Sequence, residues 1–239
     1  MTAPSVEVRL LSRGEHQGPA SFAGAQTVVG AFHYLQKPVD PRAMPEAWGI
    51  YLSSTVPGEL AGYLVVGRPE ATRCYPWYGS IDDVGSGRAS CTRWQVLNLA
   101  RVYIFPRFQQ GGVYHWPELL PGFTDRRGRW RSALGSAALR ALTAVVGAQY
   151  LLRRPPCFLE EPYEVRWLLS YCDTRIHRGA LYAGAGWELY RTNAEGVQTW
   201  RTPLPALAPD EDAAVRAAAA VHPRSRLHRE RRSQLALEV

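Results

Sequence analysis

The chain has 239 residues and a formal net charge of +7 at pH 7, and hydrophobic residues make up 46% of it. That length suits one large domain, or one domain with an appendage, around a sizeable core. No apolar run approaches the roughly eighteen residues of a membrane span. Charges also interrupt the opening segment where a secretory signal needs its apolar core, so we expect a cytoplasmic protein with no membrane partner.

The basic residues are almost all of one type. Of the 28 basic residues, every one except Lys37 is arginine, whose planar guanidinium forms two hydrogen bonds to phosphate at once. An anionic partner such as nucleic acid, or a cofactor with phosphates, is one expectation, and an ordinary basic soluble enzyme is the alternative. The cysteines form no C-x-x-C pair, so we expect no structural zinc site, while a metal requirement stays open.

The first part of the chain predicts a strand, a helix and a hairpin. "VEVRLLS" alternates like a strand, and the segment from Ser21 to Leu35 suits a helix with Ser21 as its cap. "WGIYLSS" and "ELAGYLVVG" flank a Pro57-Gly58 turn signal and predict two paired strands. From Arg68 to Ser90 the sequence is rich in Gly, Pro and Asp, which indicates a long loop.

The rest of the chain continues the mixture of strands and helices. A long β-rich stretch runs from Trp94 to Phe105, an irregular segment follows, and a helix is predicted from Ser132 to Leu152. "VRWLLSYCD" reads as a buried strand, "IHRGALYAGAG" as a short helix, and the end of this part as a hairpin around Asn193 to Gly196. We therefore predict an α/β domain over residues 1–205, and an Ala-rich helix with a basic tail over 206–239.

Arginines crowd the start of the long predicted helix. Helix N-termini bind phosphate through unpaired backbone N–H groups and the positive dipole end. Gly135 and Ser136 are small enough to let a ligand approach the backbone. The basic and aromatic residues just before the helix are Arg126, Arg127, Arg129, Trp130 and Arg131. A phosphate site is one interpretation, and an ordinary capped helix behind a solvated loop is the other.

This junction resembles the acyl-CoA pyrophosphate motif R/Q-x-x-G-x-G/A of the GNAT acetyltransferases. The matching window runs from Ser132 to Ala137; it keeps the glycine and the final small residue and lacks the leading Arg or Gln. The resemblance implies a GNAT-like mixed central sheet flanked by helices, with the basic helical extension behind it. It also implies acetyl-CoA or a related acyl donor, with Arg131, Ser132, Gly135 and Ser136 as cofactor-binding residues.

The stretch "LLSYCDTRIHRGALYAGAGWE" is similar to a segment of the phage Mom proteins, which are relatives of the GNAT fold. Its matches include Ser170, Asp173, Gly179, Tyr182 and Trp187. "FHYLQKP", "LAGYLVVGRP" and "WQVLNLARVYIFP" match further family segments in the same order. Members modify adenine N6 in DNA by adding a carbamoylmethyl group. The resemblance therefore implies double-stranded DNA as the partner and the cytoplasm of a bacterial or phage-infected cell as the location.

Roles for individual residues follow from the chemistry of an adenine amine. Asp173 would accept a proton from N6, Tyr182 would protonate a leaving group or fix the base, and Arg101 would steady a developing oxyanion. Asp173 capping a helix or pairing with Arg101, and Tyr182 as a core ring, are the structural alternatives. The residues expected to contact the base or the DNA are His33, Tyr34, Lys37, Arg126, Arg127, Arg129, Trp130, His177 and Arg178.

Two other functions remain open at this point. The first is an ordinary N-acyltransferase on a small amine or a protein, and the second is a non-catalytic DNA-binding protein on a GNAT scaffold. The adenine-modifying interpretation has one structural requirement that they lack. The arginine-flanked helix start and the corner after the later strand must meet in one cleft that brings a donor to an extruded base. The oligomeric state is not predicted.

Overall fold

The computed structural model describes residues 6–13, 18–33, 35–52, 59–69, 71, 73–109, 122–124, 126, 130–153 and 164–221. In the first half of the chain the elements are β1 (Val6–Leu10), α1 (Phe22–Phe32), β2 (Glu46–Leu52), β3 (Glu59–Gly67), β4 (Tyr78–Gly79), α2 (Ile81–Gly85), β5 (Cys91–Thr92) and β6 (Val96–Ile104). In the second half they are β7 (Gly122–Thr124), β8 (Trp130–Ser132), α3 (Leu134–Arg153), β9 (Trp167–Asp173), α4 (Ala180–Gly184), β10 (Glu188–Thr192), β11 (Val197–Pro203) and α5 (Pro209–Val221).

Seven of the strands form one sheet in the order β1-β2-β3-β6-β9-β11-β10. The pairs β1–β2, β2–β3, β3–β6 and β10–β11 are antiparallel. The α/β class is therefore confirmed, and so is the predicted hairpin of β2 and β3. Every residue of β2 is buried, as expected for a strand that is covered on both faces.

The central pair of the sheet, β6 and β9, runs parallel. The backbone N–H of Arg166 donates to the carbonyl of Gln95 at an N to O distance of 2.8 Å. Four residues further along each strand, the Ser170 hydroxyl meets the carbonyl of Leu99. Because both chains advance in the same direction between the two contacts, the strands are parallel and their carboxyl ends lie at one edge of the sheet.

Helix α1 covers one face of the strands β2 and β3. Ser21 caps it as predicted, since its hydroxyl accepts the N–H of Gly24 at 3.0 Å. Val29 is fully buried in a cluster that includes Tyr63, whose hydroxyl donates to the carbonyl of Pro19 at 2.7 Å. The helix is shorter than predicted because His33 adopts an extended backbone and ends it. That early end matters for the site described below.

The chain divides into two compact units. The first contains Met1–Glu70, Leu97–Leu142 and Leu168–Thr202, and the second contains Ala71–Val96, Thr143–Trp167 and Pro203–Val239. The division predicted from composition, at residues 205 and 206, is a different one and stays a prediction. The Ala-rich helix is confirmed as α5, and the basic tail after it lies outside the described residues. No described helix combines the length and the apolarity that crossing a membrane requires.

The second unit contains a fully buried carboxylate in the segment predicted as a loop. Asp83 is fully buried, and its side chain accepts hydrogen bonds from the Tyr75 hydroxyl at 2.7 Å and from the Ser80 backbone at 2.9 Å. Arg73 and Arg88 form ion pairs with it at 3.1 and 3.0 Å. The bond from Tyr75, with those from Ser80 and the charge of Arg73, holds the pKa of Asp83 well below its usual range.

We expect Asp83→Asn to lower the Tm by about 5 °C or more, because it leaves two arginines facing an uncharged amide. The folded-state pKa is depressed, so the carboxylate stabilises the fold above about pH 4 and this stabilisation is lost as the pH falls below that value. The Tm of the variant should therefore depend less on pH in that range. Asp82→Asn, at the exposed neighbouring position, is the matched control in thermal melts, and an equal effect of the two changes would contradict the role of Asp83.

Candidate active site

A cavity of about 300 Å³ opens within the first unit, along the second halves of β6 and β9. That volume is at the lower end of the range for small-molecule sites. Its described lining residues come from the end of α1, from β6, from β9 and from the turn and helix that follow it. They are His33, Leu99, Ala100, Arg101, Val102, Ile104, Gln109, Ser170, Tyr171, Cys172, His177, Arg178, Gly179, Ala180, Leu181 and Tyr182.

Two hydroxyl groups form a short chain of hydrogen bonds beside the cavity. Ser170 Oγ donates to the Leu99 carbonyl at 2.8 Å, and it lies 2.9 Å from the Tyr182 hydroxyl. A serine hydroxyl has a single hydrogen, and a carbonyl can only accept. The hydroxyl of Tyr182 must therefore be the donor to Ser170. The phenolic oxygen of Tyr182 keeps its acceptor capacity, so it can receive a hydrogen bond from a ligand N–H.

The ring of Tyr182 is fixed by two tryptophans. It stacks on Trp200 with ring centroids 5.7 Å apart, and it contacts Trp187 at 5.4 Å. The start of α4 requires a glycine at this point. Gly179 has a φ of +69°, and a Cβ there would lie 2.5 Å from the Trp200 ring. Tyr182 is thus both a core ring and a cavity residue.

Arg101 brings a positive charge into the buried part of the cavity. It sits within β6, is 7% exposed, and donates from Nη1 to the Ala100 carbonyl at 2.7 Å. A charge inside an apolar strand is costly unless it faces a polar partner or a cleft. In the structure Arg101 lies on the cavity wall.

His33 lies close to Arg101 and is held in its neutral form. It is 6% exposed, and burial, with the charges of Arg101 and His177, lowers its pKa to about 4. Its Nδ1 accepts the backbone N–H of Leu35 at 3.3 Å. A neutral imidazole that accepts at Nδ1 carries its proton on Nε2. His33 is therefore a neutral hydrogen-bond donor at neutral pH.

Asp173 lies in the turn beside the mouth of the cavity. It is not one of the described residues that line the cavity. Its carboxylate pairs with Arg175 at 2.6 Å and also accepts the Arg175 backbone N–H at 3.0 Å. The backbone carbonyl of Asp173 accepts the N–H of His177 at 2.9 Å. This turn leads to the exposed side chains of His177 and Arg178 at the cavity mouth.

The electrostatics of Asp173 do not favour a general base. The hydrogen bonds and charge of Arg175, with a smaller effect of His177, lower the pKa of Asp173 to about 2. A carboxylate of that pKa is a weak proton acceptor. The ion pair with Arg175 takes the place of the pairing with Arg101 that the sequence allowed, because Arg175 is two residues away and reaches the carboxylate through the same turn.

The start of α3 meets α4 by direct packing. Ser136 Oγ donates to the Leu181 carbonyl at 2.9 Å, and Arg140 donates to the Gly184 carbonyl at 2.7 Å. A Cβ at Gly135 would overlap Leu181. Ser132 is the last residue of β8, and its hydroxyl accepts the N–H of Leu134, the first residue of α3, at 3.3 Å. The start of α3 and the segment after β9, which were expected to meet, are therefore in contact. Ser132, Gly135 and Ser136, however, are not among the described residues that line the cavity.

Several predicted binding residues have other positions. Lys37 and Arg126 are exposed and do not line the cavity. The predictions for Tyr34, Arg127 and Arg129, and for the side chains of Trp130 and Arg131, lie outside what the structure describes. Across the described residues, His, Cys, Asp and Glu side chains nowhere form a group of three or more that could hold a metal ion.

Two residues of the site were missed as functional candidates. Ser170 was a family match without an assigned role, although a serine inside the apolar strand "RWLLSYC" needs a hydrogen-bond partner and so signals a polar contact in the interior. Cys172 also lines the cavity. Burial raises the pKa of its thiol, and the sulfur contacts the His177 carbonyl at 3.4 Å, so the thiol stays protonated.

No protein-family model matches this sequence, and no curated protein sequence matches it significantly. Among solved structures, a crystal structure of a domain from Methanocaldococcus jannaschii DSM 2661 aligns with 84% of this chain and 99% of that one. The TM-score is 0.37 and the sequence identity is 8%.

We expect the imidazole of His33 to titrate near pH 4 in NMR spectra of the folded protein. In the unfolded chain a histidine titrates near pH 6.5. The unfolded state therefore takes up this proton first, and folding loses stability as the pH falls from about 6.5 towards 4. His33→Asn removes the titration and keeps a side-chain acceptor, so its Tm should fall less over that range. A His33 midpoint near 6.5 would contradict the buried, neutral state.

Proposed function

We propose that this chain is a Mom-like transferase that modifies the N6 amine of adenine in double-stranded DNA, in the cytoplasm of a bacterial or phage-infected cell. One observation carries the proposal. Five residues that the sequence predicted for the site, in three separate segments, line a single cavity: Arg101, Tyr182, His33, His177 and Arg178. The mixed sheet with its parallel central pair is compatible with the GNAT-like architecture that belongs to the proposal.

The cavity has groups suited to an amine nucleophile. In the reaction the N6 nitrogen forms a new N–C bond to the donor and loses one proton. The leaving group of the donor departs with its bonding electrons and takes up that proton, directly or through solvent. The Tyr182 oxygen is an acceptor because its own hydrogen is used by Ser170. It can therefore hold one N–H of the amine, which supports a role in orienting the base.

Arg101 supplies the positive charge in this scheme. It lies in the buried part of the cavity, where a fixed charge stabilises developing negative charge more strongly than it would in water. His177 and Arg178 are exposed at the mouth, on the side from which an anionic strand would approach. A nucleobase must leave the duplex to reach such a cavity.

Asp173 acts in this proposal as a positioning residue. Its contacts with Arg175 and His177 fix the turn that carries His177 and Arg178. The carboxylate is held in its charged form by Arg175, so it is poorly suited to take a proton. The role given to it by the sequence, as the proton acceptor, is the competing hypothesis.

The donor is the least constrained part of the proposal. Coenzyme A would require the start of α3 to present Gly135 and Ser136 to its pyrophosphate. The Ser136 hydroxyl is instead bonded to Leu181, and Gly135 packs against the same residue. These side-chain positions do not fit the pyrophosphate role, so we assign no step to coenzyme A. A small donor that binds in the cavity itself agrees with these contacts.

Tyr182→Phe should reduce the modified fraction of deoxyadenosine by about tenfold or more, because the ring keeps its stacking while the amine loses its acceptor. Mass spectrometry of nucleosides from DNA that is co-expressed with the protein measures this directly. Tyr190→Phe is the matched control, since it makes the same change at a half-buried β10 position outside the cavity. Unmodified DNA from a folded wild-type protein would overturn the proposed function.

Asp173→Asn and Asp173→Ala separate the two roles of this residue. The amide oxygen of asparagine can still accept the Arg175 backbone N–H, whereas alanine cannot. If Asp173 positions the turn, Asp173→Asn keeps activity within about threefold while Asp173→Ala loses about tenfold or more. If it is the proton acceptor, both variants lose activity to the same extent. The same nucleoside assay, with circular dichroism as a check on folding, gives the answer.

A further inference from the structure

Each of the two histidines that line the cavity directly follows a large, exposed apolar residue. Phe32 precedes His33 and is 69% exposed, and Ile176 precedes His177 and is 51% exposed. The two histidines lie near each other, because burial, the charge of Arg101 and the charge of His177 together lower the pKa of His33. Phe32 and Ile176 therefore reach the protein surface close to the same cavity.

Phe32 is the more prominent of these two side chains. No large apolar residue in the described part of the chain has a higher exposed fraction. Its ring stacks on that of Tyr103, with the centroids 6.5 Å apart and the planes 28° apart. Tyr103 lies in β6 between Val102 and Ile104, which both line the cavity. A ring in this position is exposed at a cost in free energy, and burial against a partner would recover that free energy.

The helix that carries Phe32 is firmly anchored. Ala25 and Val29 of α1 are fully buried, and Ser21 caps the start of the helix. Phe32 is the last helical residue before His33 ends the helix with an extended backbone. A side chain on such an element keeps its position against a partner better than one on a loop does.

Exposed cations accompany the two apolar side chains. Lys37 follows Phe32 in the turn after α1, and Arg178 follows Ile176 and lines the cavity; both cations are exposed. In a DNA duplex the apolar base stack is flanked by phosphates, so apolar and cationic side chains in one region match it. A purely apolar protein surface would not match these charges.

We propose that Phe32 enters the base stack of duplex DNA and fills the space left by a base that is extruded into the cavity. Proteins that open or kink a duplex insert apolar side chains, phenylalanine among them, between base steps. Extrusion loses stacking free energy, and an inserted aromatic ring offsets part of this loss because it stacks on the neighbouring bases. The inference rests on the proposed function in one respect, that the cavity takes its base from a duplex.

The fluorescence of 2-aminopurine tests this insertion independently of any modification. This analogue of adenine brightens when it loses its stacked neighbours. Random-sequence duplexes that carry it in place of part of the adenine are titrated with the full chain. At saturation we expect the wild type to raise the fluorescence about twofold or more, and Phe32→Ala to produce less than about half of that rise. No rise with the wild type, or an equal rise with both proteins, would overturn the inference.

Two further variants show that the effect belongs to the ring at this position. Phe32→Leu keeps an apolar side chain that can enter a base stack, so it should retain most of the rise. Ile81→Ala removes a side chain that is 60% exposed in α2 and does not line the cavity, so it should behave like the wild type. Because Phe32 is exposed, the alanine variant should fold, and circular dichroism checks this. A loss of the rise in Ile81→Ala as large as in Phe32→Ala would contradict the role of Phe32.

A second copy of this chain is the competing partner for an exposed apolar side chain. Sedimentation of the wild type and of Phe32→Ala without DNA distinguishes the two. We expect the same oligomeric state for both proteins. A wild-type oligomer that dissociates in Phe32→Ala would assign Phe32 to a contact between copies and overturn the insertion.

The outcome for the insertion and the outcome for the proposed function are separate. A rise in fluorescence that depends on Phe32, without any modified deoxyadenosine in co-expressed DNA, supports the insertion and overturns the adenine-modifying function. Modified deoxyadenosine at the wild-type level in Phe32→Ala overturns the insertion alone. If Phe32→Ala lowers the modified fraction by about tenfold while Phe32→Leu largely keeps it, both proposals are supported together.

Discussion

Ser170 joins three elements of the first unit at the point where the cavity begins. Its hydroxyl is on β9, it donates to the Leu99 carbonyl of β6, and it accepts from Tyr182 of α4. Beyond this contact both parallel strands continue, and their residues line the cavity. The same bond fixes the direction of the Tyr182 hydrogen. The shape of the site and the hydrogen-bonding character of its central aromatic residue therefore depend on one buried hydroxyl.

Two buried charged residues, Asp83 and Arg101, have different surroundings. In the second unit, Asp83 is surrounded by Tyr75, Ser80 and two arginines, and every contact favours its charged form. Such a carboxylate stabilises a fold and has no capacity left for a ligand. In the first unit, Arg101 lines a cavity together with a histidine that is kept neutral. The first arrangement is that of a structural centre, and the second places a charged side chain on the wall of a cavity.

Local geometry decides which polar groups remain available for chemistry. Asp173 and Ser136 have the side chains expected of a proton acceptor and a phosphate ligand, yet both are engaged nearby, Asp173 with Arg175 and Ser136 with Leu181. Tyr182 and His33 are also hydrogen-bonded, and these bonds fix where their hydrogens lie: the Tyr182 hydroxyl donates to Ser170, and the imidazole proton of His33 is on Nε2. The hydrogen bonds that a side chain already makes are thus a better guide to its role than its residue type.

The local elements and one feature of the site follow from the sequence alone. The Ser21 cap, the β2–β3 hairpin and the apolar strand β6 follow from side-chain periodicity and capping, which act over a few residues. That Arg101 needs a polar partner or a cleft follows from the cost of burying its charge. The sequence does not show that β6 and β9 pair in parallel, that His33 at the end of α1 lies close to Arg101, or that Ser136 bonds to α4. These contacts join segments that lie far apart along the chain, and their geometry depends on how the whole unit packs.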